Sequence, residues 1–232
     1  MQQLSRSVVL VDLDGTLTDP AEGIIGCFRH ALEALGVFAP PAVELGWIIG
    51  PPLRQSFWHV SEGKVDPEEA VRMYRARYGV DGLFRAAVYE GVREALAQLT
   101  AAGARLFLCT AKPAVFAVRI LRHFGLDHYF EAAYGAELEG AYEDKGDLIA
   151  RILDERRLEA DNCCMLGDRM HDVLAARRHG IPTIGALWGY GGEGELRAVG
   201  AAAVCATPAE IFAAFMGLPR PSQLKEALLD ER

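Results

Sequence analysis

The sequence predicts an α/β fold, a Rossmann-like parallel sheet core flanked by helices, with a small all-helical segment inserted after the first strand. Three observations carry this prediction. Val8-Val9-Leu10-Val11 is an unbroken branched apolar run, the pattern of a strand buried on both faces of a parallel sheet. From Tyr89 onward apolar strands alternate with amphipathic helices, which yields a parallel sheet covered on both sides. No strand pattern interrupts residues 20 to 84. The expected division is therefore an α/β core domain from 1–19 and 85–232 and a helical inserted domain from 20–84. A length of 232 residues, long for one domain and short for two, agrees with a core plus an insertion.

In chain order, Gly23 to Gly36 reads as a helix with Ile24, Ile25, Phe28, Ala31, Leu32 and Leu35 on one face and Gly36 as its stop. Pro40-Pro41 breaks the chain, and Glu44 to Val60 reads as two short helices around Gly50-Pro51-Pro52-Leu53. Asp66-Pro67-Glu68-Glu69 is a helix start: a capping Asp, proline in the first turn, then acids at the positive end of the dipole. That helix runs to about Tyr78. In the core, helices are expected at 91–102, 113–124, 145–156 and 169–179, with a last one opening at Pro208. Strands are expected at 105–109, 129–134, 162–166, 181–187 and 201–205. The charged tail from Pro219 to Arg232 reads as a surface helix.

The formal net charge is −8, with no basic run, which argues against nucleic acid or an anionic membrane as partner. No apolar run approaches membrane-spanning length, and the start, Met1 to Ser7, lacks the apolar centre of a signal peptide. The five cysteines sit in apolar patterns without metal-ligand spacing, as expected of buried, reduced thiols in a cytoplasmic protein.

Two aspartates, Asp12 and Asp14, stand at the carboxyl end of the first strand, where ligands bind in open α/β sheets. Such close carboxylates repel unless a cation or proton lies between them, and Mg2+ is held by one or two carboxylates together with substrate phosphate. Taken alone, the stretch also fits a strand ending in an acidic turn. Three later signals accompany it. Leu106 to Cys109 delivers Thr110 to a strand end just before a helix, where a hydroxyl and free N–H groups suit a phosphate oxygen, or where Thr110 simply caps the helix. Lys145 opens a helix, a position the dipole disfavours for a cation. Cys163 to Gly167 is a buried run ending in Asp168, with Asp172 four residues on, a pair that also fits plain helix-start acids.

Together these four motifs resemble the haloacid dehalogenase superfamily, over essentially the whole stretch from Val8 to Phe215. The resemblance implies a phosphatase in which Asp12 is the nucleophile and Asp14 the general acid and base. It implies that Thr110 and Lys145 stabilise the transferring phosphoryl group, with backbone donors around Gly15, Thr16 and Ala111. Asp12, the main-chain carbonyl of Asp14, Asp168 and Asp172 would hold Mg2+. Ile49-Gly50-Pro51-Pro52-Leu53, Gly167 to Val173 and Gly185 to Gly191 resemble a branch labelled phosphoglycolate phosphatase or 5'-nucleotidase, with a helical cap; Gly146-Asp147-Leu148 after Lys145 departs from the Lys-Pro-x-Pro common there.

The expected substrate is a small phosphorylated metabolite, 2-phosphoglycolate first and a nucleoside 5'-monophosphate second, for a monomer or homodimer. A sugar-phosphate mutase and a non-catalytic phospho-ligand module are the alternatives. A phosphonate-cleaving relative would need a cap lysine, and Lys64 reads as a surface turn. Gly50-Pro51-Pro52 could aim Arg54 inward to grip a substrate anion. His171 is placed at the cleft rim, Trp188 and Tyr190 in packing at the sheet edge, and Lys112 at the rim.

Overall fold

The structure is a computed structural model that describes residues 7–138 and 140–218; the expected tail helix from Pro219 lies outside them. The chain runs through β1 (Val8–Val11), β2 (Thr18–Asp19), α1 (Ala21–Ala34), α2 (Leu53–Val60), α3 (Pro67–Tyr78), β3 (Ala87–Val88), α4 (Val92–Ala101), β4 (Arg105–Pro113) and α5 (Ala114–His123). It continues through β5 (Phe130–Ala136), α6 (Lys145–Arg156), β6 (Cys163–Gly167), α7 (Met170–Arg177), β7 (Thr183–Ala186), α8 (Glu193–Ala198), β8 (Ala203–Cys205) and α9 (Ile211–Gly217).

Six strands form one parallel sheet in the order β5-β4-β1-β6-β7-β8. The most apolar strand lies inside it. Val8–Val11 are all buried, and β1 pairs in register with both β4 and β6, so that Val11 stands beside Leu108 and Leu166. This register brings the residues after Val11, Leu108 and Leu166 to one edge, the carboxyl edge, where Asp12, Thr110 and Asp168 meet. Alternate residues of the central strands face opposite layers: Val9 and Val11 join one apolar cluster, Val8 and Leu10 another.

Between β2 and β3 the chain is helical. The insertion packs on aromatic rings: Phe28 stacks on Phe57 at 4.1 Å, and Phe57 meets Tyr74 edge-on at 6.4 Å. Its buried side chains belong to the same cluster as Val9, Val11 and Leu13, so the apolar interior is continuous from sheet to insertion. At its neck, β2 and β3 pair antiparallel through Thr18–Val88 and Asp19–Ala87, a two-residue ladder too short to leave a period in the sequence. Asp66 caps α3 as expected, accepting from the Glu68 N–H at 3.1 Å.

Three local expectations are corrected. Residues 44–52 hold 3-10 turns rather than a first short helix, because glycine at 46 and 50 and two prolines cannot carry an α-helical ladder. Helix α8 is an element the sequence pattern does not predict, since its six residues lie in a glycine-rich stretch without apolar period. Strand β4 does not stop at Cys109. It runs on to Pro113 through a register irregularity after Thr110, so Thr110 is a strand residue and not a helix cap. All five cysteines are buried.

Candidate active site

At the carboxyl edge, Asp12, Asp168 and Asp172 each offer a carboxylate oxygen within 4.8 Å of the others, and all three are buried. Asp168 is held by its surroundings on every side. Thr16 donates its hydroxyl to Oδ1 at 3.2 Å and the Tyr190 N–H donates to Oδ2 at 2.8 Å. Glycines close the cradle: a Cβ on Gly15 or Gly189 would overlap the Asp168 carboxylate, and one on Gly191 would overlap its carbonyl oxygen. Gly15 also has φ +82°, a conformation other residues adopt only with strain. Trp188 donates its indole N–H to the Thr16 carbonyl at 3.0 Å, and the Tyr190 hydroxyl donates to Asp19. These two aromatics thus fasten the loop after β7 to the loop after β1.

Asp172, one turn into α7, accepts from Lys145 Nζ on Oδ1 and from the Arg169 N–H on Oδ2 at 3.0 Å. Gly167 has no room for a Cβ because Asp172 occupies that space. Lys145 opens α6 behind the Asp144 cap, and its Nζ also lies 3.0 Å from Asp12 Oδ1. Burial alone would lower the Lys145 pKa, but Asp12 and Asp172 beside it hold it above the usual lysine range. For Asp168, burial and then repulsion from Asp172 and Asp12 push the carboxyl up. For Asp172, burial pushes it up against the pull of Lys145. Three carboxylates gathered at one point, with the ionised forms of Asp168 and Asp172 disfavoured until a cation arrives, fit a hard divalent metal.

Asp14 turns away from that cluster. Its carboxylate accepts from Lys112 Nζ at 2.9 Å, and Lys112 also donates to the hydroxyl of Tyr78, at the end of α3. Burial raises the Asp14 pKa, and Lys112 limits the rise. Lys112 is therefore not a rim residue: its side chain is only 6% exposed. The irregularity in β4 explains this. Thr110 pairs with Gly135 and Pro113 with Ala136, so Ala111 and Lys112 bulge out of the ladder, a device that re-aims side chains beside active sites. Had the strand been continued past Cys109 in the sequence, its period of two would have put Lys112 on the face of Thr110.

A cavity of about 590 Å³ lies between the carboxyl edge and the insertion. Asp12, Asp14, Thr110, Ala111, Lys145, Asp172, Arg54 and His171 border it; Gly15 and Thr16 do not. The expected role of these last two as backbone donors to substrate is corrected. The Gly15 N–H already donates to Thr18 O at 2.8 Å and the Thr16 N–H to Leu13 O at 3.3 Å. Both residues instead shape the Asp168 cradle. Arg54 does face the cavity, but Glu68 takes two of its donors and Glu143 a third at 2.6 Å. It ties α3 to the loop before α6 rather than presenting an empty fork. On the opposite side, Arg169, the residue capping α7, reaches the Ile49 carbonyl at 2.6 Å and Glu195 of α8 at 3.0 Å. Glu195 had no signal in the sequence.

No helix among the described residues is long and apolar enough to cross a membrane. A model of the haloacid dehalogenase-like hydrolase family matches residues 9–186. A 5'-nucleotidase of Pseudomonas aeruginosa is 46% identical over 191 residues, 82% of this chain and 86% of that one. Tyrosine-protein kinase PtkA of Mycobacterium tuberculosis is 41% identical over 187 residues, 81% of this chain but only 64% of its own length. A phosphoglycolate phosphatase of Cupriavidus necator is 32% identical over 206 residues, 87% of this chain and 89% of that one. The crystal structure of a predicted phosphatase from Clostridium acetobutylicum superimposes with a TM-score of 0.85 at 34% identity, covering 90% of this chain and 97% of that one.

Proposed function

From a chain that belongs to the haloacid dehalogenase-like hydrolase family, we infer a Mg2+-dependent phosphomonoesterase acting through an aspartyl-phosphate intermediate on Asp12. The observation that carries this is the division of labour among the carboxylates. Three are gathered around one point with Lys145, while Asp14 stands apart, buried and hydrogen-bonded to Lys112. Asp12, Asp168 and the Asp14 carbonyl would hold the metal with Asp172 behind them, and the metal supplies charge neutralisation on the phosphoryl oxygens.

In the first half-reaction Asp12 Oδ attacks phosphorus in line, the ester P–O bond breaks, and Asp14 gives its proton to the leaving oxygen. In the second, Asp14 takes a proton from water as that water attacks phosphorus, releasing inorganic phosphate and restoring the Asp12 carboxylate. Lys145 and Thr110, both on the cavity, stabilise charge on the transferring group. Lys112 keeps the Asp14 carboxyl aimed, and Tyr78 makes that hold depend on the insertion, which acts as a cap excluding water.

For the substrate we place a nucleoside 5'-monophosphate ahead of 2-phosphoglycolate. A volume of about 590 Å³ exceeds the need of a two-carbon leaving group, and the wall formed by Ile48, Val71, Tyr74 and Phe116 is apolar. The 46% identity to a 5'-nucleotidase supports the same order. The test is steady-state phosphate release with Mg2+ over nucleotides, 2-phosphoglycolate and sugar phosphates. Asp12→Asn should lose about 10³-fold or more in kcat with its fold intact. A clean Asp12→Asn protein that still turns over removes the nucleophile from Asp12. No release by the metal-loaded wild type would return the mutase and binding-module readings.

A further inference from the structure

Six lysine and arginine side chains border the cavity, and five of them already hold a carboxylate. Lys145 holds Asp12 and Asp172, Lys112 holds Asp14, and Arg54 holds Glu68 and Glu143. Arg169 holds Glu195, and Arg178 holds Asp144 and Asp147. Arg75, on α3, is the exception among the described residues. Among the described residues its side chain makes one hydrogen bond, from Nη1 to the main-chain carbonyl of Leu138 at 2.6 Å, and its Nε is buried without a hydrogen-bond partner; the carboxylate of Glu68, already paired with Arg54, feels the Arg75 charge but does not bond it. A buried donor left unmade is costly. Drawing Arg75 toward a ligand therefore gives up one neutral hydrogen bond and a solvent-screened attraction to the exposed Glu68, and relieves an orphaned group. Drawing in any of the other five strips a carboxylate of its cation.

The Nε and Nη2 groups of a guanidinium donate in parallel, and they match two adjacent coplanar acceptors. A carboxylate offers such a pair, and so does the O6–N7 edge of a 6-oxopurine. The apolar side chains bordering the same cavity, Val71 and Tyr74 from α3 and Phe116 from α5, suit the faces of a flat ring. We propose that Arg75 selects the leaving group, favouring phosphomonoesters whose end remote from phosphorus presents two adjacent acceptors, a 6-oxopurine nucleotide above all. This rests on the hydrolase reading and goes beyond it, because the chemistry at Asp12 does not require Arg75.

Matched substrate pairs test it. Inosine and adenosine 5'-monophosphate differ at the purine 6-position, where oxygen accepts and the amino group donates; 2-phosphoglycolate and ethyl phosphate differ by a carboxylate. In the wild type, kcat/KM for the inosine nucleotide should exceed that for the adenosine nucleotide by about ten-fold or more, and in Arg75→Met this ratio should collapse toward one. A preference confined to 2-phosphoglycolate over ethyl phosphate, lost in the same variant, supports the selector with a carboxylate as its ligand. A wild type that treats both members of both pairs alike overturns the proposal without recourse to any variant. So does an Arg75→Met protein that slows every substrate by the same factor. Absence of release from para-nitrophenyl phosphate overturns the hydrolase reading itself, which separates the two failures.

Discussion

The two walls of the cavity are built on different principles. The floor, at the carboxyl edge of the sheet, is made of charges: Asp12, Asp168, Asp172 and Lys145 are buried, Asp168 and Lys145 each have two partners on other elements, and Asp172 is held by Lys145 and by the N–H that caps its own helix. The roof, contributed by the insertion, is made of apolar side chains and of arginines that reach across to main-chain carbonyls and half-exposed acids. Buried charges in a low dielectric cannot move without large cost, whereas solvated pairs exchange partners cheaply. The floor therefore fixes one chemistry, and the roof is free to vary what is presented to it.

If that contrast holds, the largest effect on stability belongs to Lys145. Lys145→Met leaves Asp12 and Asp172 buried without their cation and should cost about 3–5 kcal/mol in urea unfolding without metal. A loss below 1 kcal/mol would mean that the floor is not held by charge. Next comes the metal. The carboxyls of Asp168 and Asp172 have pKa values raised in the folded state. Folding therefore favours their protonated forms. Their contribution is greatest below the ordinary carboxyl pKa of about 4 and is lost as pH rises through the raised folded values. In EDTA, Tm should fall as pH rises over that window. Mg2+ at one fixed concentration, a hundred times its Kd at neutral pH, should restore about 2.7 kcal/mol there, with a gain that grows with pH as its Kd falls; a gain independent of pH would separate the metal from these carboxyls.

Smaller again is the cradle. Gly189→Ala forces a methyl group onto Asp168 and should cost about 1–3 kcal/mol while abolishing the thermal shift with Mg2+. Retention of that shift would show that the cradle can yield. The smallest effect is expected on the roof. Arg54→Gln frees Glu68 and Glu143, which are 65% and 37% exposed and regain water, so unfolding should change by less than about 1 kcal/mol. A loss comparable to that of Lys145→Met would erase the distinction between the walls.

The same contrast governs what could be read from the sequence. Asp12, Asp168, Asp172 and Lys145 were legible because each closes an apolar strand or opens a helix, and local pattern locates such ends. Their second partners were not. Tyr190 and Thr16 meet at Asp168 from positions far apart in the chain, and Glu195 reaches Arg169 from a six-residue helix with no period of its own. Lys112 is expected at the rim because Pro113 reads as a turn and ends the strand at Cys109, whereas β4 runs on to Pro113. Arg54 borders the cavity after a proline-rich turn, but the two acids that occupy it come from α3 and from the loop before α6 and leave no local pattern beside it. Pattern along the chain locates a group; only packing shows what already holds it.

The buried cysteines have a practical bearing of their own. All five are enclosed, and burial pushes Cys109 up to about 12 and Cys205 up to about 11, so few of these thiols are present as the reactive thiolate. The native chain is thus nearly silent toward maleimide dyes. One cysteine introduced on an exposed turn of the insertion and one on the far side of the sheet would accept a donor and an acceptor fluorophore without removing any native residue. The distance between roof and floor could then be followed in real time, one molecule at a time, as substrate enters and phosphate leaves.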